Sequence, residues 1–233
     1  MISYTIYMKK YHIFLFVAFL LVWIWAAINP VFPHDWLLEN YLVFLAVPLI
    51  FILGRYFKLS DTSYTLITIF LILHVIGSHY TYAEVPLGYT LKDFFDADRN
   101  MYDRIVHFSF GLLLFYPMRE VFIRIARVRG FWGYFFPIDL VGSGSAMYEI
   151  LEWFIARNVD PAAGLSFLGS QGDIWDAQKD MALAISGAIV TAIIVFCINM
   201  KYKKDFWLDI KSSFTIPKDD HPLGEVELQN MRK

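Results

Sequence analysis

Apolar residues along this chain come in long unbroken blocks, not in the strict alternation of a half-buried strand. A helix that crosses a bilayer core needs about 20 consecutive apolar residues. Blocks of that kind lie at residues 11–29, 37–57, 62–82, 103–123, 131–156 and 176–200. They predict an all-α polytopic membrane protein, a bundle of about six transmembrane helices filling residues 1–204. Residues 205–233 lose span character and read as a polar tail, with Phe206-Trp207-Leu208 resting at the interface and the rest a loose extension. No second domain, repeat or low-complexity tract is apparent. The first block follows Lys9-Lys10 and has the look of a signal-peptide core. Asn29-Pro30 and Phe32-Pro33 follow it in place of a small-residue cleavage site, so it reads as a retained span.

Composition agrees with a lipid environment. The chain has 233 residues, 58% hydrophobic and 18% charged, with a mean hydropathy of +0.48. Soluble domains are less apolar. Phe dominates the aromatics, and Trp and Tyr recur near the span ends, as in interfacial belts. The net charge is −2, and no nucleic-acid partner is expected. Cys197 is the one cysteine and excludes an intrachain disulfide; a thiol packed inside the last span is expected.

Basic residues set the orientation. Lys9, Lys10, Arg55, Lys58, Arg119, Arg124, Arg127, Arg129, Lys201, Lys203 and Lys204 flank one side. Lys92, Arg99, Arg104, Arg157 and Lys179 sit on the other among many acids. Both termini are therefore expected in the cytoplasm of a bacterial cell, with the loops at 30–36, 83–102 and 157–175 outside.

Ionisable groups collect at the outer ends of four spans. The third span ends with His74, His79 and Tyr80, and the fourth begins with Asp103, Arg104 and His107. The fifth ends with Glu149 and Glu152, and the sixth opens with Asp173, Asp176 and Asp180. Spans alternate in direction, so these ends share one membrane face. At 1.5 Å per residue, His74, His107 and Glu149 lie roughly 5–15 Å from it. Spacing refines the grouping. Asp103/His107 and Asp176/Asp180 are four apart, Glu149/Glu152 three apart, and each pair shares a helix face. His74 and His79 are about 140° apart on a regular helix, so they face one centre only if the helix ends or bends near His79.

Each group also has a plainer reading. Ser170-x-x-Asp173 has the form of a capping box, so Asp173 reads as a helix cap. Asp103-Arg104 reads as interfacial ion pairing, and Gly142-Ser143-Gly144-Ser145 as a close-packing seam. Asp139 reads as a relay group or a hydrogen-bonded residue of the inner half and is left outside the site. The set as a whole is harder to assign to chance, because charges carried into a bilayer are costly. Imidazole and carboxylate on facing helices suit a divalent metal. The candidate ligands are His74, His79, His107, Glu149, Asp176 and Asp180. The candidate catalytic groups are His107, Asp103, Glu149 and Glu152, with Asp103 orienting His107. Arg104 and Tyr80 are candidates for holding a substrate headgroup.

The stretches HVIGSHYTYAEVP, NMYDRIVHFSFG, YEILEW and GDIWDAQKDM resemble the YjdF-type bacterial inner-membrane proteins, a family of uncharacterised function, over nearly all of the hydrophobic region. Asp103-Arg104-x-x-His107-Phe108, Glu149-x-x-Glu152 and Asp176-x-x-x-Asp180 also resemble, more weakly, VanZ-type membrane proteins. Glu152 and Asp180 stand where that pattern commonly has amides, which makes this site more acidic. The second resemblance implies a cell-envelope role and leaves the chemistry open.

These observations lead to an expected polar site in the outer half of an inner-membrane bundle. Its leading reading is metal-dependent hydrolysis or transfer on a lipid or cell-envelope substrate. A small transporter or ion-conducting protein, and a non-catalytic module that binds a lipid or partner, remain alternatives.

Overall fold

Apolar runs in a medium without water must satisfy every backbone group internally, and helices do so within one segment. The structure, a computed structural model, describes residues 9–216 and 230–232. The long helices are α1 (Lys10–Ala27), α2 (Pro33–Tyr56), α3 (Asp61–His79), α5 (Tyr102–Arg124), α6 (Trp132–Asn158) and α8 (Asp176–Tyr202). Five of them are long and apolar enough to cross a membrane. The exception is α6, 27 residues long, whose apolar run is broken by Asp139, Gly142–Ser145, Glu149 and Glu152. Among the described residues there are also three short helices: α4 (Pro86–Phe95), α7 (Pro161–Leu168) and α9 (Phe206–Ser212). The outer segments 83–102 and 157–175 thus each carry a helix. A proline in the first turn starts both α4 and α7, because its fixed φ suits the helix and its missing N–H has no intrahelical partner there.

The centre of the bundle is α5, which packs on α3, α6 and, most extensively, α8. That last contact is backbone to backbone. A β-carbon on Gly111 would stand 1.8 Å from the Ala184 carbonyl oxygen, and one on Gly187 would stand 2.1 Å from that of Phe108. Lipid gives little drive for apolar helices to associate, so close van der Waals contact through small residues holds such a seam. Phe115, Val141, Ala184 and Ala188 form the fully buried core beside it. The Gly142–Ser145 stretch faces both neighbours, with Gly142 against Ile185 and Gly144 against Phe110.

Buried polar side chains fix the remaining helices. Asn40 on α2 accepts from Trp23 Nε1 of α1 at 2.7 Å and donates to Ser78 Oγ of α3 at 3.3 Å. At the basic end of the bundle, Glu120 on α5 accepts from the Ser60 amide at 2.9 Å and from Ser63 Oγ at 2.5 Å, which secures the start of α3. These polar contacts set depth and rotation, which uniform apolar faces leave free.

At the opposite end, α3 stops at His79, three residues short of the block read from the sequence. Thr81 and Tyr82 adopt positive φ, and the Tyr82 ring folds back over Gly77, where a β-carbon would meet it at 2.7 Å. Cys197 is a correction to expectation: it is exposed on the outer surface of α8 rather than packed inside. The tail begins with α9, and Phe206 is buried while Trp207 and Leu208 are exposed. Ser213 ties this segment to α6 by accepting from the Phe131 amide and, through its carbonyl, from Trp132 Nε1. The expected loose extension falls mostly at 217–229 and 233, outside the described residues.

Candidate functional site

Helix N-termini carry partial positive charge and attract carboxylates. Two of them, of α5 and α8, meet at the end of the bundle opposite the basic flanks, and their first turns present Asp103 and Asp176. Arginine side chains bind the two starts together. Arg99, just ahead of α5, donates to Asp103 Oδ2 at 3.1 Å, to the Gly169 carbonyl at 3.1 Å, and to Asp176. Arg104 donates to Asp176 Oδ1 at 2.7 Å, to the Asp176 carbonyl at 3.1 Å and to Asp173 Oδ2 at 3.1 Å. It also pairs with Asp180 at 2.5 Å. Its guanidinium is thus occupied by protein groups, and Arg104 does not line the nearby cavity.

Asp173 lies in the loop before α8. It accepts from the Trp175 amide at 3.0 Å and pairs with Lys179 at 2.6 Å. Lys179 and that amide, with Arg104 nearby, hold the Asp173 carboxyl below the usual carboxylate range. The expected helix cap is thus corrected: Trp175 is the N-cap of α8 and has no side-chain cap, and Asp173 is a loop residue held by a turn hydrogen bond and ion pairs.

One layer deeper, His107 Nε2 stands 3.5 Å from Asp103 Oδ1 and 3.7 Å from Glu149 Oε1. Asp103, His107 and Asp180 each offer one ligand atom, all within 4.8 Å of one another. Glu149 Oε1 is buried and accepts no hydrogen bond among the described residues. The same holds for Asp180 Oδ1, whose contact with Arg104 is a charge pair off the hydrogen-bond direction. Carboxyl groups outnumber the cations around this cluster, and buried carboxylates without partners are costly. Protons or a bound cation must offset the excess.

Beside the cluster is a cavity of about 270 Å³. Asp103 and His107 line it together with Glu39, His74, Tyr82, Tyr148 and Glu152. Leu42, Phe70, Val106, Phe110, Phe167 and Leu168 form its apolar wall, the last two from α7. Small residues on α6, Gly144 and Ser145, leave the space open, and Ser145 Oγ is buried without a hydrogen-bond partner among the described residues. The α7 helix closes back on α6, where a β-carbon at Gly164 would stand 2.5 Å from the Ala156 carbonyl oxygen.

The groups expected to share one level do not all share one centre. His74 lines the cavity, but its Nε2 is 3.1 Å from the Glu39 carbonyl and its Nδ1 is 2.5 Å from Tyr82 Oη. Both ring nitrogens are thus held by protein. His79 Nδ1 contacts the Ala26 carbonyl at 3.0 Å, and its ring lies 4.6 Å from that of Trp25. Tyr80 packs edge-on against His79 and does not line the cavity, whereas Tyr82 does. Asp176 is taken up by Arg99 and Arg104. Glu152 lines the cavity, and Glu149 faces His107. Asp139 is exposed on α6, away from both.

The sequence reading missed Glu39, Tyr148 and Arg99. Tyr148 Oη donates to Glu39 Oε2 at 2.8 Å. Glu39 had a usable signal, a lone acid near the start of an apolar span, where an ionisable group is a functional suspect by default. Arg99 lies in a polar loop among other charges and has no such signal.

Spanning helices around a buried polar cluster define a polytopic helical membrane protein. The chain belongs to the DUF2238 family of predicted membrane proteins, whose family model matches residues 11–201. It is 37% identical over 179 residues to inner membrane protein YjdF of Escherichia coli (strain K12), an alignment that covers 75% of this chain and 85% of that protein. This kinship assigns the chain to the inner membrane. No solved structure gives a significant match.

Proposed function

We propose that this protein is a metal-dependent hydrolase or transferase of the inner membrane, acting on a lipid or cell-envelope substrate, with its site on the outer side and both termini cytoplasmic. The observation that carries the proposal is the convergence of Asp103, His107 and Asp180, whose ligand atoms lie within 4.8 Å of one another. Two ligands on one ion sit at most about 5 Å apart when the bonds are about 2.3–2.6 Å long, and about 4.4 Å apart for zinc. The spacing therefore admits a larger divalent ion directly and a smaller one after slight closure. One imidazole with two carboxylates suits manganese, iron or zinc. The buried Glu149 Oε1, which accepts no hydrogen bond among the described residues and stands 3.7 Å from His107 Nε2, gives further support.

A bound divalent ion would polarise the substrate oxygen and lower the pKa of a water. Glu149, whose Oε1 is 3.7 Å from His107 Nε2, would act as the base that takes a proton from a water and returns it to the leaving oxygen. Hydrolysis then adds the water oxygen to the electrophilic centre, breaks the ester bond and leaves an alcohol and an acid, with no further reagent. Arg99 and Arg104 hold the acidic helix starts in position, and the cavity gives the substrate its place beside the cluster.

Elemental analysis of the purified protein, with and without added manganese or zinc, tests the reading. The wild type should retain about one ion per chain, and Asp103→Asn, His107→Ala and Asp180→Asn should each weaken retention by tenfold or more, on the order of the loss seen even for supporting residues of metal sites. Equal retention in all four proteins, or none in the wild type, overturns it.

A further inference from the structure

The cavity wall has a one-sided chemistry. Glu39, Asp103 and Glu152 line it beside His74 and His107, and among the described residues no lysine or arginine does. Arg99 and Arg104 are turned to the aspartates and loop carbonyls. A ligand portion resting on Glu39 and Glu152 meets two carboxyl groups and is favoured by donors or positive charge of its own. Ser145 Oγ, in a residue 2% exposed, lines the same cavity without a partner and waits for a donor or acceptor from the ligand.

The remaining lining is apolar and lies at the depth of the spans. Leu42 on α2, Phe70 on α3 and Phe110 on α5 extend it toward the bilayer centre. The two helices α2 and α6 flank the cavity but have little direct packing with each other. The hydrogen bond from Tyr148 to Glu39 bridges them directly, and α7 packs on both. An opening between two spans admits molecules that already reside in the bilayer, and one side-chain hydrogen bond is a weak latch.

We propose that the cavity takes an amphipathic lipid whose headgroup carries a primary amine, entering between α2 and α6, with its ammonium on Glu39 and Glu152 and its chain along Leu42, Phe70 and Phe110. This names the substrate class for the metal-dependent reading above and rests on it for the role of the site. The binding claim stands on the cavity alone.

The experiment uses the full-length protein exchanged through vesicles holding equal amounts of phosphatidylethanolamine and phosphatidylglycerol with matched chains. Retained lipid is counted by native mass spectrometry, and metal is measured on the same samples. The wild type should retain the amine lipid over phosphatidylglycerol by about tenfold, a difference of about 1.4 kcal/mol. Gly144→Leu, which pushes a side chain into the cavity beside Phe110, should lose both lipids by a similar factor. Glu39→Gln keeps the size and the Tyr148 acceptor and should bring the two lipids close to parity. Equal retention of both lipids by the wild type, or an unchanged preference in Glu39→Gln, overturns the proposal. Metal bound without lipid preference sinks this inference and spares the metal reading. Amine-lipid preference without metal does the reverse.

Discussion

Tyr148 donates its hydroxyl to Glu39 Oε2 at 2.8 Å and so joins α6 to α2 across a cavity that neither helix closes by packing. Glu39 also offers its backbone carbonyl to His74 Nε2, which ties the same point to α3. One buried acid on α2 is therefore the junction of three helices.

Tyr148→Phe removes the donor and keeps the ring. The orphaned acceptor costs about 1–3 kcal/mol, so thermal unfolding in detergent should begin several degrees lower. Glu39→Gln, which can still accept, should shift far less. Equal losses in the two variants would show that the carboxylate, and not the hydrogen bond, holds α2.

Arg104 joins the acids at the start of α8. Arg104→Met leaves Asp180 and Asp176 without that partner in a buried setting. Removing one member of a buried ion pair costs about 3–5 kcal/mol, enough to reduce folded yield sharply. Lysine at this position supplies the charge without the planar fork and should recover only part of the loss. Folded yield by fluorescence-detected size exclusion checks both. A wild-type yield in Arg104→Met would mean the aspartates are already neutral.

Gly111→Leu sets a side chain against the Ala184 carbonyl, which leaves no room even for a β-carbon. The α5–α8 seam must part, and the site built on both helix starts parts with it. Loss of monodisperse protein is the expected outcome. Gly133→Ala should be silent, since the nearest atom there is 3.8 Å away. A stable Gly111→Leu protein would mean that α5 and α8 are farther apart than described.

His74 and His79 differ from His107 in what their ring nitrogens already contact. His79→Ala should leave metal retention unchanged, and His74→Ala should lower stability through Tyr82 and Glu39 without removing the ion. His107→Ala alone of the three should abolish retention. Metal analysis paired with a thermal scan separates the two kinds of effect. Loss of the ion in His79→Ala would contradict the geometry.

Much of the architecture was legible beforehand because lipid is an exacting solvent. Backbone groups in hydrocarbon must be paired within the chain, so long apolar blocks become helices, and alternating direction brings the ionisable ends of α3, α5, α6 and α8 to one level. Pairs on a single helix were legible for the same reason: Asp103 and His107 are four apart and do meet. The blocks around 83–102 and 157–175 were less legible, because α4 and α7 are short and start within polar loops.

By itself, then, the sequence determined the class of protein, the depth of its ionisable groups and the pairs that share a helix face. Those follow from hydropathy and from 3.6 residues per turn, both local properties. Only the tertiary structure decided which groups meet across helices. Rotation about each helix axis is set by contacts distant in sequence, such as Gly111 on Ala184, Gly187 on Phe108 and Asn40 between Trp23 and Ser78. Those contacts brought Asp180 to His107, gave Asp176 to the arginines, turned His79 toward Trp25, and made Glu39, unremarked in its apolar run, part of the wall of the site.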